Sequence, residues 1–185
     1  MYGTELLVKE HDDILAATKA IRKICINILD TNEFNVNIFK TFNNFSKNYA
    51  DSHHHGKEEK ILFKYMLEEL PEISSHLVTN GMLVEHDLGR MYMMNLKEAI
   101  ESYELNPTTE AKMDIMNNSL TYAELLARHI DKENNILYPY AEKNLNSKTL
   151  DIINSETLSF ENENQEQVKL LLEDLDSIIK FSLDK

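Results

Sequence analysis

One ten-residue pattern occurs twice in this chain, as HHGKEEKILF at residues 54–63 and as HIDKENNILY at residues 129–138. Both copies contain His-x-x-Lys-Glu-x-x-Ile-Leu and then an aromatic residue, so His54 lies four residues before Glu58 and His129 four before Glu133. On a helix, residues at this spacing share a face, about 5–6 Å apart at Cβ, so a His and a Glu can reach one metal ion. One such pair is usually an ordinary surface turn, but the repeat predicts two inward-facing helix turns that together form a two-metal site.

The scarcity of helix breakers predicts an all-α fold. The 185 residues include four Gly, three Pro and no Trp, and long stretches contain no breaking residue. A chain of this length suits one domain with a substantial core. We therefore expect an antiparallel up-down four-helix bundle with an additional C-terminal helix.

Charge and cysteine content limit the partners and the setting. The formal net charge of −13 repels phosphate backbones, which argues against nucleic acid as a partner, and it attracts cations. Cys25 is alone, so no intrachain disulfide is expected, and its place on an apolar seam predicts buried packing. The first residues, MYGTELLVKEHDD, do not resemble a signal peptide, and no apolar run approaches the roughly 18 residues that span a bilayer. These features predict a cytoplasmic protein with no membrane partner.

Apolar periodicity predicts four long helices, at about residues 4–29, 35–67, 72–105 and 107–144. Asn35 or Asn37 is expected to cap the second helix, and Pro71 is well placed in the first turn of the third. Pro107 is expected to open the fourth helix, and Pro139 to bend or fray its last turns.

The second helix contains a conflict of phase. Its aromatic stripe at residues 38–49 continues towards Gly56 rather than towards His54. A kink, a local π-bulge or a broad buried surface would reconcile the two. His55 with Glu59 is therefore a rival pair, but the pair formed by His54 is preferred because it alone aligns with the second copy of the pattern.

Further polar residues lie on the inward faces of these helices. His11 falls on the seam of the first helix and His86 in the middle of the apolar face of the third. Tyr122 faces the same way as His129 and is expected to be a core aromatic residue, with a hydrogen bond near a bound ligand as the alternative. Four imidazoles and two carboxylates in one core would cost many kcal/mol in desolvation unless paired or bound to metal. The predicted metal ligands are His11, His54, Glu58, His86, His129 and Glu133.

The C-terminal part has a different character. We expect a short helix at residues 148–154, a loose polar segment at 161–167 and an amphipathic fifth helix at 168–182. The chain is therefore divided into a bundle at residues 1–146 and a helical extension at 147–185. The extension is expected to pack on the bundle or at a homodimer interface, or to report the state of the core to a partner.

At these residues the sequence resembles the hemerythrin-like family of non-haem di-iron proteins, the HHE cation-binding domains. The resemblance extends over about residues 4–145, and its motifs are KEHDDI, HHGKEE, LVEHD, and HIDKE followed by ILYP. It implies a bundle around two iron ions joined by an oxo or hydroxo bridge. In that arrangement Glu58 and Glu133 would bridge the ions and the four His would be terminal ligands.

The resemblance is incomplete at one position, because the oxygen-carrying hemerythrins use a fifth His. The remaining imidazoles, and two further carboxylates that could act as extra ligands, are His53, His55, His76, Glu59 and Glu85. Each of these His is expected to be exposed or to lie outside the ligand set. Two coordination positions would then stay open, which favours fast oxidation and reaction with peroxide or NO over simple oxygen carriage.

Donor chemistry favours iron in this site. Imidazole and carboxylate ligands suit Fe, Mn or Zn. Six ligands on four helices fit two metal ions better than one tetrahedral zinc. The His-rich set also differs from the Glu-rich set of ferritin-like bundles, which argues against iron storage.

The expected function is the binding of O2, peroxide or NO at a di-iron centre, for oxygen sensing or scavenging under oxidative stress. The first alternative is a redox enzyme that reduces O2 or peroxide. It would need an external reductase, because the sequence contains no flavin or nucleotide fingerprint and no Cys pair. The second alternative is iron handling or a signalling module that binds a partner. The sequence alone does not decide whether the chain is an enzyme.

Overall fold

The computed structural model describes residues 1–183, and this part of the chain forms five long helices with no β-strand. The last two residues of the 147–185 segment lie outside the described residues. The helices are α1 (Tyr2–Thr31), α2 (residues 36–69), α3 (residues 71–105), α4 (residues 109–144) and α5 (Ser147–Leu183). The predicted all-α class, a helical bundle with an additional C-terminal helix, is confirmed.

Local side-chain chemistry sets the helix ends. Asn35 caps α2, and its side chain accepts a hydrogen bond from the backbone N–H of Asn37 at 3.0 Å. The expectation that Pro107 opens α4 is wrong by two residues. Thr108 is the cap instead, because its hydroxyl accepts from the N–H of Ala111 at 3.1 Å, and the helix begins at Thr109.

Wide π-helical turns interrupt the bundle helices at Ser46–His55 and Glu58–Leu62 in α2, Ser75–Met82 in α3 and Glu133–Leu137 in α4. The π-bulge considered for α2 is thus confirmed. The wider turns shift the phase of the aromatic stripe so that it shares the interior with His54. Both copies of the ten-residue pattern begin a π segment at their Glu, and such segments are frequent at functional sites. In α4 this segment ends just before Pro139, and the helix continues to Asn144 without fraying.

The core consists of two apolar clusters separated by a polar layer. The larger includes the aromatic stripe of α2, with Phe39, Phe42 and Phe45 fully buried, and the C-terminal half of α5. The smaller lies at the other end of the bundle and includes Phe63, Met66 and Tyr138. The predicted metal ligands fall between the two clusters, so the hydrophobic packing on both sides fixes the helices that carry them.

α5 is one continuous helix, which corrects the expectation of a loose segment at residues 161–167. Residues 147–183 contain neither Gly nor Pro, so nothing breaks the helix. α5 runs antiparallel to α2, with hydrogen bonds from Asn44 to Asp174 at 2.7 Å and from Tyr65 to Glu156 at 2.8 Å. These contacts hold α5 against the bundle on both sides of its polar middle.

Among residues 1–183, none of the helices combines the length and the apolar character needed to cross a membrane.

Candidate metal centre

The structure brings all six predicted ligand residues into the polar layer and adds a seventh. Every one of them is buried, and they come from all four bundle helices. They are His11 on α1, His54, His55 and Glu58 on α2, His86 on α3, and His129 and Glu133 on α4.

Two groups of donor atoms form within this layer, and within each group the atoms lie within 4.8 Å of one another. One group contains His55, Glu58, His86 and His129, and the other contains His11, His54, Glu58 and Glu133. Glu58 belongs to both groups. Glu133 also spans them, because its Oε1 lies 3.1 Å from Nε2 of His129 and its Oε2 lies 3.2 Å from Nε2 of His11. Two groups of donor atoms that share carboxylates in this way have the arrangement of a two-metal site in a helical bundle.

The outer nitrogen of each imidazole is held by an oxygen acceptor. The Nδ1 contacts are Asn134 for His11 at 2.8 Å, Glu10 for His54 at 2.9 Å, Glu59 for His86 at 2.7 Å and Glu85 for His129 at 3.0 Å. His55 has a longer contact of 3.4 Å from Nδ1 to Asp51. An acceptor at one ring nitrogen fixes the tautomer and leaves the other nitrogen as a donor for metal.

The Lys shared by both copies of the ten-residue pattern anchors two of these acceptors. Lys132 contacts Glu85, which holds His129, and Lys57 contacts Glu10, which holds His54. Each copy therefore supplies a His, a metal-directed Glu and the cation that fixes the acceptor of the His. The sequence contained this signal as the Lys common to both copies, but its role depends on carboxylates from other helices.

Four interior atoms of the cluster lack hydrogen bonds. Of the six buried side-chain N and O atoms in residues 1–183 that have no hydrogen-bond partner, four belong to this layer: Nε2 of His54, Oε2 of Glu58 and both carboxylate oxygens of Glu133. A buried polar atom without a partner costs free energy, and native proteins rarely leave one so. The donor atoms are imidazole nitrogens and carboxylate oxygens, which suit Fe, Mn or Zn. The residues present therefore fit a pair of metal ions.

Burial and mutual charge perturb the ionisable groups of the centre. Burial and the neighbouring imidazole of His11 lower the pKa of His54 to about 4, and burial with the neighbouring imidazole of His86 lowers the pKa of His55 well below its usual value. Both rings are therefore neutral at neutral pH, as a metal ligand must be.

The two central carboxylates respond in opposite directions. Burial and the charge of Glu133 raise the pKa of Glu58 well above its usual range. Burial also acts to raise the pKa of Glu133, but the imidazoles of His129 and His11 outweigh it and hold that pKa well below the usual range. A cation bound between the two carboxylates would favour the ionised form of both, because it would offset the burial and the mutual repulsion that penalise their negative charges.

Two functional candidates emerge from the structure that the sequence analysis did not assign. His55 was expected to be exposed or outside the ligand set, but it is buried, and its ring stacks on His86 with 3.7 Å between centroids. Tyr138, the aromatic end of the second pattern, donates a hydrogen bond from its hydroxyl to Oε1 of Glu58 at 2.5 Å. The aromatic residue shared by both copies was its sequence signal.

The other candidates lie outside the central layer. Glu59 and Glu85 accept hydrogen bonds from the outer nitrogens of His86 and His129, respectively. The hydrogen bonds from His86 and His129, respectively, lower the pKa of each of these carboxyl groups to about 2. His53 is buried beside Glu10, and His76 is exposed. Tyr122 packs edge-to-face on Phe42 at 6.0 Å and lines a cavity next to the centre, so its hydroxyl is not within the cluster.

A cavity of about 280 Å³ connects the surface to the centre. It lies between α2, α3 and α4, and it reaches from the exposed side chains of Lys47, Met94 and Lys97 to the buried His55 and His86. The absence of a side chain at Gly89 contributes to the space, because a Cβ there would stand 3.4 Å from the ring of Tyr122.

A four-helix bundle with buried imidazoles and carboxylates arranged in this way defines a class, the helical metal-binding proteins. The family model of the hemerythrin HHE cation binding domain matches residues 2–141, and the chain belongs to this family. Iron is the metal that this family binds. No curated protein and no solved structure matches the chain.

Proposed function

We propose that this chain is a non-haem di-iron protein that binds O2, or a related small ligand such as peroxide or NO, for oxygen sensing or scavenging. The observation that carries the proposal is the buried layer of five imidazoles and two carboxylates. Among its inner atoms, Nε2 of His54, Oε2 of Glu58 and both carboxylate oxygens of Glu133 have no hydrogen-bond partner, while the outer nitrogens of the imidazoles are anchored. Two iron ions held there would supply the electrons and the coordination positions for a small ligand.

The residues have separate roles in this proposal. Glu58 and Glu133 would each contact both ions, since each carboxylate lies between the two groups of donors. The five His would be terminal ligands. His55 would fill one of the two positions that the sequence count left open, which would leave one position for a small ligand. His55 and His86 line the cavity, so a ligand could approach from that side.

The cavity gives a small molecule a route to His55 and His86. The buried side chains of Met93 and Tyr122 form part of its wall, so part of the route is shielded from water. Arg90 lies in the same wall and is held by Asp51 and Glu59 at 2.8 and 2.6 Å. This pairing fixes α2 and α3 beside the opening.

The cavity also favours a second candidate, a redox enzyme that reduces O2 or peroxide with an external donor. Its volume exceeds what a diatomic gas requires, so a small-molecule reductant could approach the His55 and His86 rings. Stopped-flow mixing of the reduced protein with O2 separates the two functions. A visible absorption band that persists supports binding, and immediate decay with continued consumption of peroxide and donor supports catalysis.

Substitution of a bridging ligand tests the site itself. Glu133→Ala should lose most of its iron, because the variant lacks a carboxylate that contacts both ions. His76→Ala, at an exposed position, is the matched control and should keep the wild-type iron content. Wild-type iron loading in Glu133→Ala would contradict the bridging assignment.

A further inference from the structure

A second buried polar cluster lies beside the centre, where α5 meets α1 and α2. It contains Glu10 of α1, His53 and Lys57 of α2, and Glu161 of α5. The Lys57 side chain is 1 % exposed, and its ammonium contacts both the Glu10 and the Glu161 carboxylates. Burying an ammonium is costly unless it is paired, and here one of the two compensating carboxylates comes from α5.

Glu10 joins this cluster to the metal centre. Its Oε1 faces Lys57 and His53, and its Oε2 lies 2.9 Å from Nδ1 of His54. If Nε2 of His54 binds a metal, Nδ1 carries the ring proton, and this N–H donates a hydrogen bond to Glu10. A continuous series of contacts therefore runs from Glu161 through Lys57 and Glu10 to His54.

The second copy of the pattern shows what α5 adds. There Lys132 contacts Glu85, which holds His129, and the Lys132 side chain is 43 % exposed, so water can complete its surroundings. At Lys57, the side of the ammonium that would correspond to the water-exposed side of Lys132 is covered by the carboxylate of Glu161. The Glu161 side chain is itself 22 % exposed. Glu161 lies beyond residues 2–141, where the family model matches, so this contact is an addition to the shared domain.

We propose that Glu161 is a positioning residue for the metal held by His54, so that docking of the α5 segment at residues 155–167 and metal retention are energetically coupled. The inference rests on the proposed metal-binding function. Coupling acts in both directions, so a metal whose retention depends on Glu161 must also hold this segment against the bundle.

Metal release from the full-length chain, loaded with Fe²⁺ without oxygen, tests the forward direction. In Glu161→Ala, Lys57 loses a carboxylate and water enters, so Glu10 no longer holds His54 rigidly. We expect one Fe²⁺ ion to pass to a colorimetric chelator about tenfold faster than in the wild type, with the other unchanged. Glu166→Ala, at an exposed position of the same helix, should release both ions at the wild-type rates.

Two further readouts distinguish positioning from a general loss of structure. The Nδ1 proton of His54 should give a paramagnetically shifted NMR signal in the loaded protein, and this signal should broaden through faster exchange with water in Glu161→Gln. Loading with Fe²⁺ should also slow amide hydrogen exchange at residues 155–167 in the wild type, but not in Glu161→Ala.

The outcomes separate the two proposals. Equal release rates in Glu161→Ala and Glu166→Ala would overturn the coupling and leave the metal site standing, as would the absence of metal-dependent protection at residues 155–167 in the wild type. A wild-type chain that binds no Fe²⁺ would overturn both. If Glu161→Ala does not fold, the Glu161→Gln signal and wild-type exchange decide the question by the same criteria.

Discussion

The Tyr138 hydroxyl is the contact that orients Glu58. It donates a hydrogen bond to Oε1 at 2.5 Å. The other oxygen, Oε2, has no hydrogen-bond partner among residues 1–183 and is free to bind a metal. A partner of this kind fixes the direction of a carboxylate before any metal arrives.

Removing this hydroxyl should weaken metal binding without unfolding the chain. In Tyr138→Phe, Glu58 loses its donor and can rotate, so we expect a loss of about tenfold or more in affinity for Fe²⁺. Competition with a chelator of known affinity measures it. Tyr140→Phe, on the same helix and partly exposed, is the control. Equal affinity in the two variants would show that Tyr138 has no role in the centre.

Cys25 should be chemically inert in the native protein. Its side chain is buried in the larger apolar cluster, and burial raises the pKa of its thiol to about 12, so almost no thiolate exists at pH 8. We expect iodoacetamide to modify it only after the chain is unfolded in denaturant, as measured by intact mass. Modification of the folded protein at the rate of a free thiol would contradict the buried position.

At the level of the helix, the π segments explain which site residues could be predicted. His54 and Glu58 were identified because their spacing matches that of His129 and Glu133. The position of His55 in the polar layer was not predicted, because an α-helical projection directs its side chain away from the face that His54 occupies. The π-helical turns around it change that direction, and they depend on tertiary packing rather than on a local sequence signal. Lys57 and Tyr138 were missed because their partners are on other helices.

α5 behaves as part of the core rather than as an appendage. Ile178 is 0 % exposed within the larger apolar cluster, whereas Leu170 on the same helix is 63 % exposed. We expect Ile178→Ala to lower the free energy of unfolding by about 2–5 kcal/mol and Leu170→Ala to change it by less than about 0.5 kcal/mol.

Circular dichroism during denaturant unfolding of the metal-free chain checks this prediction, because the sequence contains no Trp for fluorescence. One cooperative transition that shifts in Ile178→Ala is the expected result. A separate early transition, with the main one unchanged, would show that α5 detaches independently of the bundle.

For the whole molecule, composition and periodicity were sufficient to predict the bundle. Few breakers and long amphipathic stretches predicted helices throughout, and Asn35 and Pro71 marked the starts of α2 and α3. The start of α4 was misplaced because Thr108 rather than Pro107 is decisive there. The continuity of α5 was not predicted, because the polar residues 161–167 lack an apolar stripe and are held by contacts such as Glu161 with Lys57. The charged residues of that segment are evident from the sequence, but the side chains of other helices that contact them are not.

The polar layer that divides the core makes stability depend on metal. Glu58 and Glu133 are fully buried, and three of their four carboxylate oxygens have no hydrogen-bond partner among residues 1–183, a cost that metal ions would offset. Fe²⁺ at about a thousand times its dissociation constant should add roughly 4 kcal/mol to the free energy of unfolding, and chelation should remove it.

Thermal unfolding with and without metal measures this effect. Mg²⁺ at the same concentration is the control, since it prefers oxygen ligands and should stabilise little at a centre rich in imidazole. Identical unfolding temperatures with Fe²⁺, with Mg²⁺ and with chelator would show that the layer is a structural polar cluster.

The metal content of the protein, purified without oxygen and measured by mass spectrometry, tests the central claim most directly. We predict about two irons per chain, one for each group of donors joined by Glu58 and Glu133. One zinc per chain, or a folded protein that takes up no iron, would contradict the di-iron account. The five imidazoles of the polar layer would then be structural, and function would have to be sought at the cavity and at α5.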